Sequence, residues 1–299
     1  MLSILIPIFN FDVRSFVKEL SDQSEKLDVP VEILCFDDAS DAKFQVINQD
    51  LAEMTNVRYE KTIKNLGRSA VRNRMVELAD YDYLLFLDCD GKVLNESYLQ
   101  DYLSTPEADV VYGGRVYQEH RPLESNLHFH WYCGKAREEV DVERRKESPF
   151  KSFMTNNFMI KRSVYERVKM DETVEGYGHE DTLFAAELRR MGYRITHIDN
   201  PIEHIGIEDV HVFLQKSANA VRNLARMIYD NKVDESIKIV YYYRLLNKFK
   251  MLSPITYVVF QLEKRMIQNM QSAAPNLAWF DLWKLALLNK EMHKLSKLT

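Results

Sequence analysis

The nine residues Tyr83-Leu84-Leu85-Phe86-Leu87-Asp88-Cys89-Asp90-Gly91 decide how the chain is read. Five consecutive apolar or aromatic side chains make a run of strand length with no polar face, the pattern of a strand buried on both sides of a parallel sheet. The run stops at two acids one residue apart. Side chains alternate along a strand, so Asp88 and Asp90 leave its carboxyl end in the same direction, and that edge is where open α/β sheets bind ligands. Two carboxylates this close repel each other unless a cation lies between them. Their hard oxygens suit a divalent ion bridging a diphosphate. Acids after a strand also cap turns and helices, so the tripeptide alone leaves both readings open.

The residues upstream extend the sheet. Met1 to Ile8 reads as a first buried strand, and Phe16, Val17, Leu20, Ser24 and Leu27 fall at helical spacing before Pro30. Val31 to Phe36 forms a second strand that ends in Asp37-Asp38-Ala39-Ser40; Phe44, Ile47, Leu51 and Met54 outline a helix, and Val57 to Lys61 a third strand. This β-α-β-α-β order predicts a parallel sheet with covering helices. In Asn65-Leu66-Gly67-Arg68-Ser69-Ala70-Val71-Arg72-Asn73, Gly67 suits a tight turn into a helix. Arg68 and Arg72 are placed either to reach anionic oxygens or to form a solvated basic face. No Gly-x-Gly-x-x-Gly and no Gly-Lys-Ser/Thr loop is present, which argues against a dinucleotide fingerprint and a P-loop.

Composition sets the outer limits. The 299 residues are 46% hydrophobic and 28% charged, ordinary for a globular chain with one large α/β domain and an extension. No apolar run approaches the roughly 20 residues of a membrane helix, and the first strand is too short and lacks the basic residues of a signal peptide. Three scattered cysteines, Cys35, Cys89 and Cys133, fit neither a disulfide framework nor a zinc site, which suggests a reducing compartment, and Cys35 and Cys89, in strand-like apolar context, are expected as small core residues. Residues 232–299 carry 11 Lys and Arg against 5 Asp and Glu, which leaves −11 on residues 1–231 out of −5 overall. An acidic body argues against nucleic acid as a partner, and the basic, aromatic tail toward contact with something anionic.

Downstream the pattern loosens. Asp109 to Tyr117 reads as a strand interrupted by Gly113-Gly114, and Glu119 to Ser152, without periodicity, as a long functional loop. Trp131 and Tyr132 in it would stack on a sugar ring or pin the loop. Thr155 to Arg162 returns to strand. The segment Glu175 to Tyr193 then opens a helix with Glu180 and Asp181 in its first turn and Leu183, Phe184, Ala186 and Leu188 facing inward. Acids there complement the helix dipole, so a capping role stands beside a functional one. His204 follows the strand Tyr193 to Ile198, and a lone His among apolar residues is commonly structural. Helices are expected over His211 to Tyr229, over Ser236 to Leu262 with a break near Ser253-Pro254, and over Trp279 to Leu298. The last carries an apolar stripe among lysines, which suits packing on its own domain or contact with a membrane surface.

Taken together, Ile4 to Asn10, Asp37-Asp38-Ala39-Ser40, Asn65-x-Gly67 with Arg72-Asn73, Phe86-Leu87-Asp88-x-Asp90-Gly91, and Gly176-x-Gly178-x-Glu180-Asp181 resemble the motifs of family 2 glycosyltransferases. The resemblance implies a Rossmann-like GT-A fold with a mixed, mostly parallel sheet over residues 1–208 and a helical C-terminal extension over 209–299. It implies a metal-dependent, inverting hexosyltransferase that uses a nucleotide-sugar, commonly UDP-linked. Pro7, Asp38, Asn65, Gly67, Arg72 and Asp88 would then bind the donor, with Asp38 at the base. Asp88, Asp90 and His204 would hold Mn²⁺ or Mg²⁺, Asp181 would be the general base and Glu180 its partner. The acceptor would be a saccharide or lipid-linked saccharide of bacterial surface polysaccharide assembly, at a cytoplasmic site or at the inner face of the membrane through the basic final helix. A nucleotidyltransferase would need a Gly-rich basic loop in place of Ile8-Phe9-Asn10-Phe11-Asp12. A catalytically silent sugar-nucleotide sensor or scaffold would have no use for both Asp88-x-Asp90 and Glu180-Asp181.

Overall fold

The computed structural model describes residues 1–297 apart from 106–107 and 175, so Glu175 and Leu298 of the segments above lie outside the described residues. The chain divides into two compact units. One comprises Met1–Gln118, Arg137–Thr173 and Glu180–Gly206; the other comprises Glu119–Ala136, Val174–His179 and the chain from Ile207 on.

Among the described residues the first unit contains ten strands: β1 (Leu2–Ile8), β2 (Val31–Asp37), β3 (Val57–Lys61), β4 (Tyr83–Leu87), β5 (Gly91–Lys92), β6 (Val110–Tyr112), β7 (Arg115–Val116), β8 (Asn157–Lys161), β9 (Ile195–His197) and β10 (Ile202–His204). Seven form one sheet in the order β3-β2-β1-β4-β8-β6-β9, in which β8 alone runs antiparallel to its neighbours. This is the mixed, mostly parallel sheet expected. The other three make a small sheet in which β10 lies between β5 and β7.

The period of two along each strand sorts side chains between two cores. Leu84 and Phe86 of β4 join Leu5, Val71, Met75, Phe158, Tyr165 and Phe184 on one face, with Phe86 stacked on Phe158 at 4.8 Å. Leu85 and Leu87 join Ile4, Ile6, Phe16, Leu20 and Leu99 on the other. Each such buried aliphatic or aromatic side chain is worth about 1.5–3 kcal/mol relative to exposure. β1 runs on past its last partner on β4, Leu5 opposite Phe86, so the missing N–H of Pro7 takes no bond from that neighbour.

Several local expectations change. The strand predicted over Asp109 to Tyr117 is two strands in different sheets, because the chain leaves the large sheet at Tyr112 and enters the small one at Arg115 across Gly113-Gly114. The stretch Glu119 to Ser152 is not an irregular loop: it contains the helices His128–Arg137 and Val142–Glu147. The first buries little beyond Phe129 and Cys133 of its apolar side chains, and the second is six residues long, so neither shows a readable period. Asp141 caps the second through Arg144 N at 3.0 Å, and its Arg145 is buried against the carbonyls of Gly113 and Ile198, each at 3.0 Å. In the helix Glu180–Arg190 it is Ala185, not Ala186, that is buried beside Phe184 and Leu188.

The second unit is helical, with His128–Arg137, Val210–Tyr229, Lys238–Lys248, Leu252–Met270 and Leu277–Leu295. The predicted break near Ser253-Pro254 falls instead at Phe249 to Met251, where Lys250 takes a φ of 56°. Pro254 sits in the first turn of the next helix, where an N–H is dispensable. The final helix turns Phe280, Trp283 and Ala286 into a core with Phe129, Leu214, Val259 and Met266. Trp283 Nε1 donates to Glu263 Oε1 at 3.0 Å, so this part of the predicted stripe is covered by its own unit. No described helix is long and apolar enough to cross a membrane. All three cysteines are free; Cys35 is buried in the core as expected, Cys89 is only partly buried against it, and Cys133, for which no core place was expected, is buried.

Candidate active site

The first part of the site is built where β1 and β2 end. Asp38 follows β2 directly and its N–H donates to Ile8 O at 2.8 Å. Its buried carboxylate accepts from Leu66 N at 2.7 Å and Gly67 N at 3.0 Å, while Asn65 Nδ2 donates to Asp38 O at 2.9 Å. Burial pushes the Asp38 carboxyl above its usual range, and the two amides offset only part of that. The loop therefore takes its shape from Asp38. Gly67 has φ 87° and ψ 166°, a region open essentially to glycine, and it releases the chain into the helix Arg68–Leu78. Pro7, Asp38, Asn65 and Gly67 are thus brought to one sheet edge.

Beside them, at the end of β4, Asp88 is gripped by arginines. Its Oδ1 accepts from Arg72 Nη2 at 2.5 Å, and Arg115 Nη2 lies 3.6 Å from its Oδ2. Arg115 also donates to Glu138 at 2.9 Å, and the Tyr117 hydroxyl donates to the same Glu138 oxygen at 2.5 Å. Burial works against the charge on Glu138, yet the Arg115 guanidinium and the Tyr117 hydroxyl outweigh it and hold the carboxyl below its usual range.

Asp90 meets His204 instead. The antiparallel pairing of β5 with β10, with Gly91 opposite His204, brings His204 Nδ1 to 3.3 Å from Asp90 Oδ1, and Ile205 N donates to Asp90 O at 2.9 Å. Tyr117 sets its ring edge-on to His204 at 5.4 Å. Burial opposes ionisation of Asp90, but the charge of His204, with Arg115 and Arg68 behind it, prevails and holds the carboxyl well below the usual range. Asp90 Oδ1 is buried without a hydrogen-bond partner among the described residues. An oxygen in that state beside an imidazole nitrogen fits a divalent cation of the Mn²⁺ or Mg²⁺ kind. Among the described residues no three His, Cys, Asp or Glu side chains close on a common point, because Asp88 is turned to its arginines.

Gly206 leaves the room that this carboxylate occupies. A Cβ on it would lie 2.4 Å from Asp90 Oδ2. Gly206→Ala is expected to displace Asp90 and, with Asp90 as a ligand of the divalent ion, to weaken nucleotide binding in Mn²⁺ by about tenfold or more with the fold retained. Titration calorimetry with Mn²⁺ and UDP checks this, and unchanged affinity would show that Asp90 can move without loss.

The helix Glu180–Arg190 supplies two adjacent acids with opposite fates. Glu180 is buried and accepts from Arg68 Nη1 at 2.9 Å; burial disfavours its charge, but Arg68 and Arg72 keep its carboxyl below the usual range. Asp181 is half-buried and accepts from Thr182 N at 2.7 Å. Burial and then the neighbouring Glu180 charge push its carboxyl up to about 7. Two carboxylates driven apart in this way are the arrangement from which acid and base roles are assigned.

Three members of this constellation were not legible in the sequence. Arg115 and Glu138 are 23 positions apart in a stretch without periodicity, so no local spacing marks them as partners. Gly206 stands alone after His204, and its meaning depends on where Asp90 arrives.

The model of Glycosyl transferase family 2 matches residues 3–169. Poly(ribitol-phosphate) beta-glucosyltransferase of Bacillus spizizenii is 31% identical over 119 residues, 38% of this chain and 18% of that protein. This chain spans between 18% and 24% of the length of the three curated relatives it matches. Among solved structures, the mannosyltransferase PcManGT from Pyrobaculum calidifontis, in complex with GDP-Man and Mn²⁺, superposes with a TM-score of 0.60 at 15% identity, over 98% of this chain and 86% of that one. Glucosyl-3-phosphoglycerate synthase from Mycobacterium tuberculosis, in complex with Mn²⁺, UDP and glucosyl-3-phosphoglycerate, superposes with a TM-score of 0.51 at 14% identity, over 77% of this chain and 79% of that one. These likenesses bear on the fold, and they agree with the GT-A sheet order found here. With the family model matched over more than half of its 299 residues, the chain belongs to glycosyl transferase family 2.

Proposed function

We propose that the chain is an inverting glycosyltransferase that moves a sugar from a nucleotide-sugar of the UDP type to an acceptor hydroxyl. The catalytic part is assigned to residues 1–208 and an extension to 209–299. The observation that carries the reading is the split between Glu180, held ionised by Arg68, and Asp181, pushed up to about 7. A base of that strength at a partly open helix end is matched to removing a proton from a hydroxyl near neutral pH. Asp181 would take the acceptor proton as the acceptor oxygen attacks the anomeric carbon opposite the departing diphosphate, so an α-linked donor gives a β-linked product. Glu180 fixes Arg68 and keeps Asp181 from ionising too early. Asp38 shapes the Asn65 to Gly67 loop at the nucleotide end. Asp90 and His204 would hold Mn²⁺ or Mg²⁺, and Asp88 would face the ribose; when bound, such an ion offsets charge on the leaving diphosphate. The family 2 match and the name of the Bacillus relative support an acceptor of the surface-polysaccharide class, a saccharide or lipid-linked saccharide.

Thermal unfolding with UDP, GDP, CDP and dTDP, each with Mn²⁺ or with EDTA, tests the donor site. One diphosphate is expected to raise the midpoint in Mn²⁺ alone, by the equivalent of about 2.7 kcal/mol at a hundredfold excess over Kd. No rise with any of the four would remove the donor-site reading.

A further inference from the structure

Folded proteins leave few buried polar atoms unpaired, so their location is informative. Ser69 Oγ, Arg72 Nε, Asp90 Oδ1, Tyr112 Oη, Arg115 Nε and both amide atoms of Asn156 are buried without a hydrogen-bond partner among the described residues. Asp90, Tyr112, Arg115 and Asn156 lie at or just beyond the edge where β4 and β6 end and β8 begins, and Ser69 and Arg72 lie on the helix Arg68–Leu78, from which Arg72 reaches Asp88 there. Arg72, Arg115 and Asp90 are accounted for by the charge network above. Asn156 is not. It is 3% exposed, and neither end of its amide is satisfied.

The register shows where this amide points. Leu87 pairs with Asn157 across the antiparallel β4–β8 ladder, and Asp88 N donates to Asn156 O at 3.0 Å, which sets Asn156 opposite Asp88. Residues directly opposite in such a ladder project to the same face with Cβ atoms about 5 Å apart. The Asn156 amide therefore stands beside Asp88, on the face from which Arg72 approaches. Tyr112, opposite Phe158 on the next strand, is on the same face. The adjacent Asn157, on the opposite face, is the contrast: its Oδ1 accepts from the hydroxyls of Tyr98 and Tyr102, and its Nδ2 donates to Gly114 O and Asn200 O. One asparagine is spent on the fold, and its neighbour is held in reserve.

A primary amide offers one donating and one accepting end. Phosphate oxygens accept only, so a phosphate would meet Asn156 Oδ1 lone pair to lone pair, and the arginines already serve that chemistry. A pair of hydroxyls, each able to donate and accept, matches both ends of the amide. We infer that Asn156, aided by the Tyr112 hydroxyl, reads two hydroxyls of the sugar carried by the donor and so sets which sugar is transferred. This rests on the donor-site reading above.

The test uses Asn156→Leu, nearly isosteric and apolar, and Asn156→Ala as a second variant. Without ligand, the midpoint of Asn156→Leu is expected to equal or exceed that of wild type, because an unsatisfied amide is replaced by an apolar group of similar shape. With Mn²⁺, the affinity for UDP is expected to stay within about twofold of wild type, while binding and turnover of the preferred one among UDP-glucose, UDP-galactose and UDP-N-acetylglucosamine fall by about tenfold or more. A lower ligand-free midpoint in both variants would place Asn156 in the fold and overturn the inference. So would wild-type handling of all three conjugates, an equal loss for UDP itself, or a change confined to acceptor KM, which would move the residue to the acceptor. Failure of wild type to bind any nucleoside diphosphate would instead remove the donor-site reading, and the inference with it.

Discussion

Asp181→Asn is expected to keep the fold and the affinity for nucleoside diphosphate while losing turnover by about 10²–10⁴-fold, the range for removal of a general base. The amide preserves shape and the bond from Thr182 N but cannot accept the acceptor's proton. The pH dependence has a definite sign. In the proposed role of base Asp181 acts only when ionised, and burial and Glu180 push it up to about 7, so kcat/KM is expected to rise with pH through about 7 and level off above it. Stability runs the other way: a carboxyl raised in the folded state binds its proton more tightly there, so this group takes stability away as pH rises from about 4 to about 7. The Asn variant avoids that loss and is expected to melt no lower than wild type at pH 8. Retained turnover, or a flat profile between pH 5 and 8, would remove Asp181 from the role of base.

Arg115→Met is expected to lower stability by about 3 kcal/mol, the low end for breaking a buried pair, since the Glu138 side chain keeps 33% exposure. For a chain of this size, with about 2.1 cal/mol/K of unfolding entropy per residue, that is a fall in midpoint of about 5 °C. In wild type Arg115 makes a folded-state asset of Glu138: its lowered carboxyl adds stability above the ordinary glutamate range, and that stability is lost as pH falls from that range through the lower folded-state value. With Arg115 gone, burial dominates and the sign reverses, so ionised Glu138 opposes folding at neutral pH. The gap between variant and wild type is therefore expected to be wider at pH 8 than at pH 5. Calorimetric scans at both values decide it. An equal gap would mean that Arg115 contributes packing rather than charge.

How far the chain could be read in advance depended on whether the determining contacts were local. β3 and β4 fall on the predicted residues, β1 and β2 within one, because a buried strand declares itself in its own five to seven residues. Asp88, Asp90, Glu180 and Asp181 were visible for a related reason: the first two sit where an apolar run stops, the other two where a helical period begins. Their partners were not visible. That Asp88 answers to Arg72 and Arg115, rather than sharing a point with Asp90 and His204, depends on side chains from three separate segments. Asn156 and Asn157 are identical in type and adjacent, and only the ladder opposite β4 tells the spent one from the free one. The one-residue error at Ala185 shows the limit of periodicity when consecutive alanines offer either face.

The small sheet also places the site in time. Asp90 stands immediately before β5, Arg115 opens β7 and His204 ends β10, the strand that joins the other two. Lys92 and Glu203, paired across that ribbon, are 111 positions apart. At ribosomal rates of about 5–20 residues per second, β10 leaves synthesis roughly 5–20 s after β5. The pairings among β1, β2, β3 and β4 are all made before Asp88, whereas β5 and β7 gain their shared neighbour, and Asp90 its His204, only with β10. A nascent chain can thus complete the loop around Asp38 while Asp90 still lacks His204, the partner with which it is proposed to hold the cation.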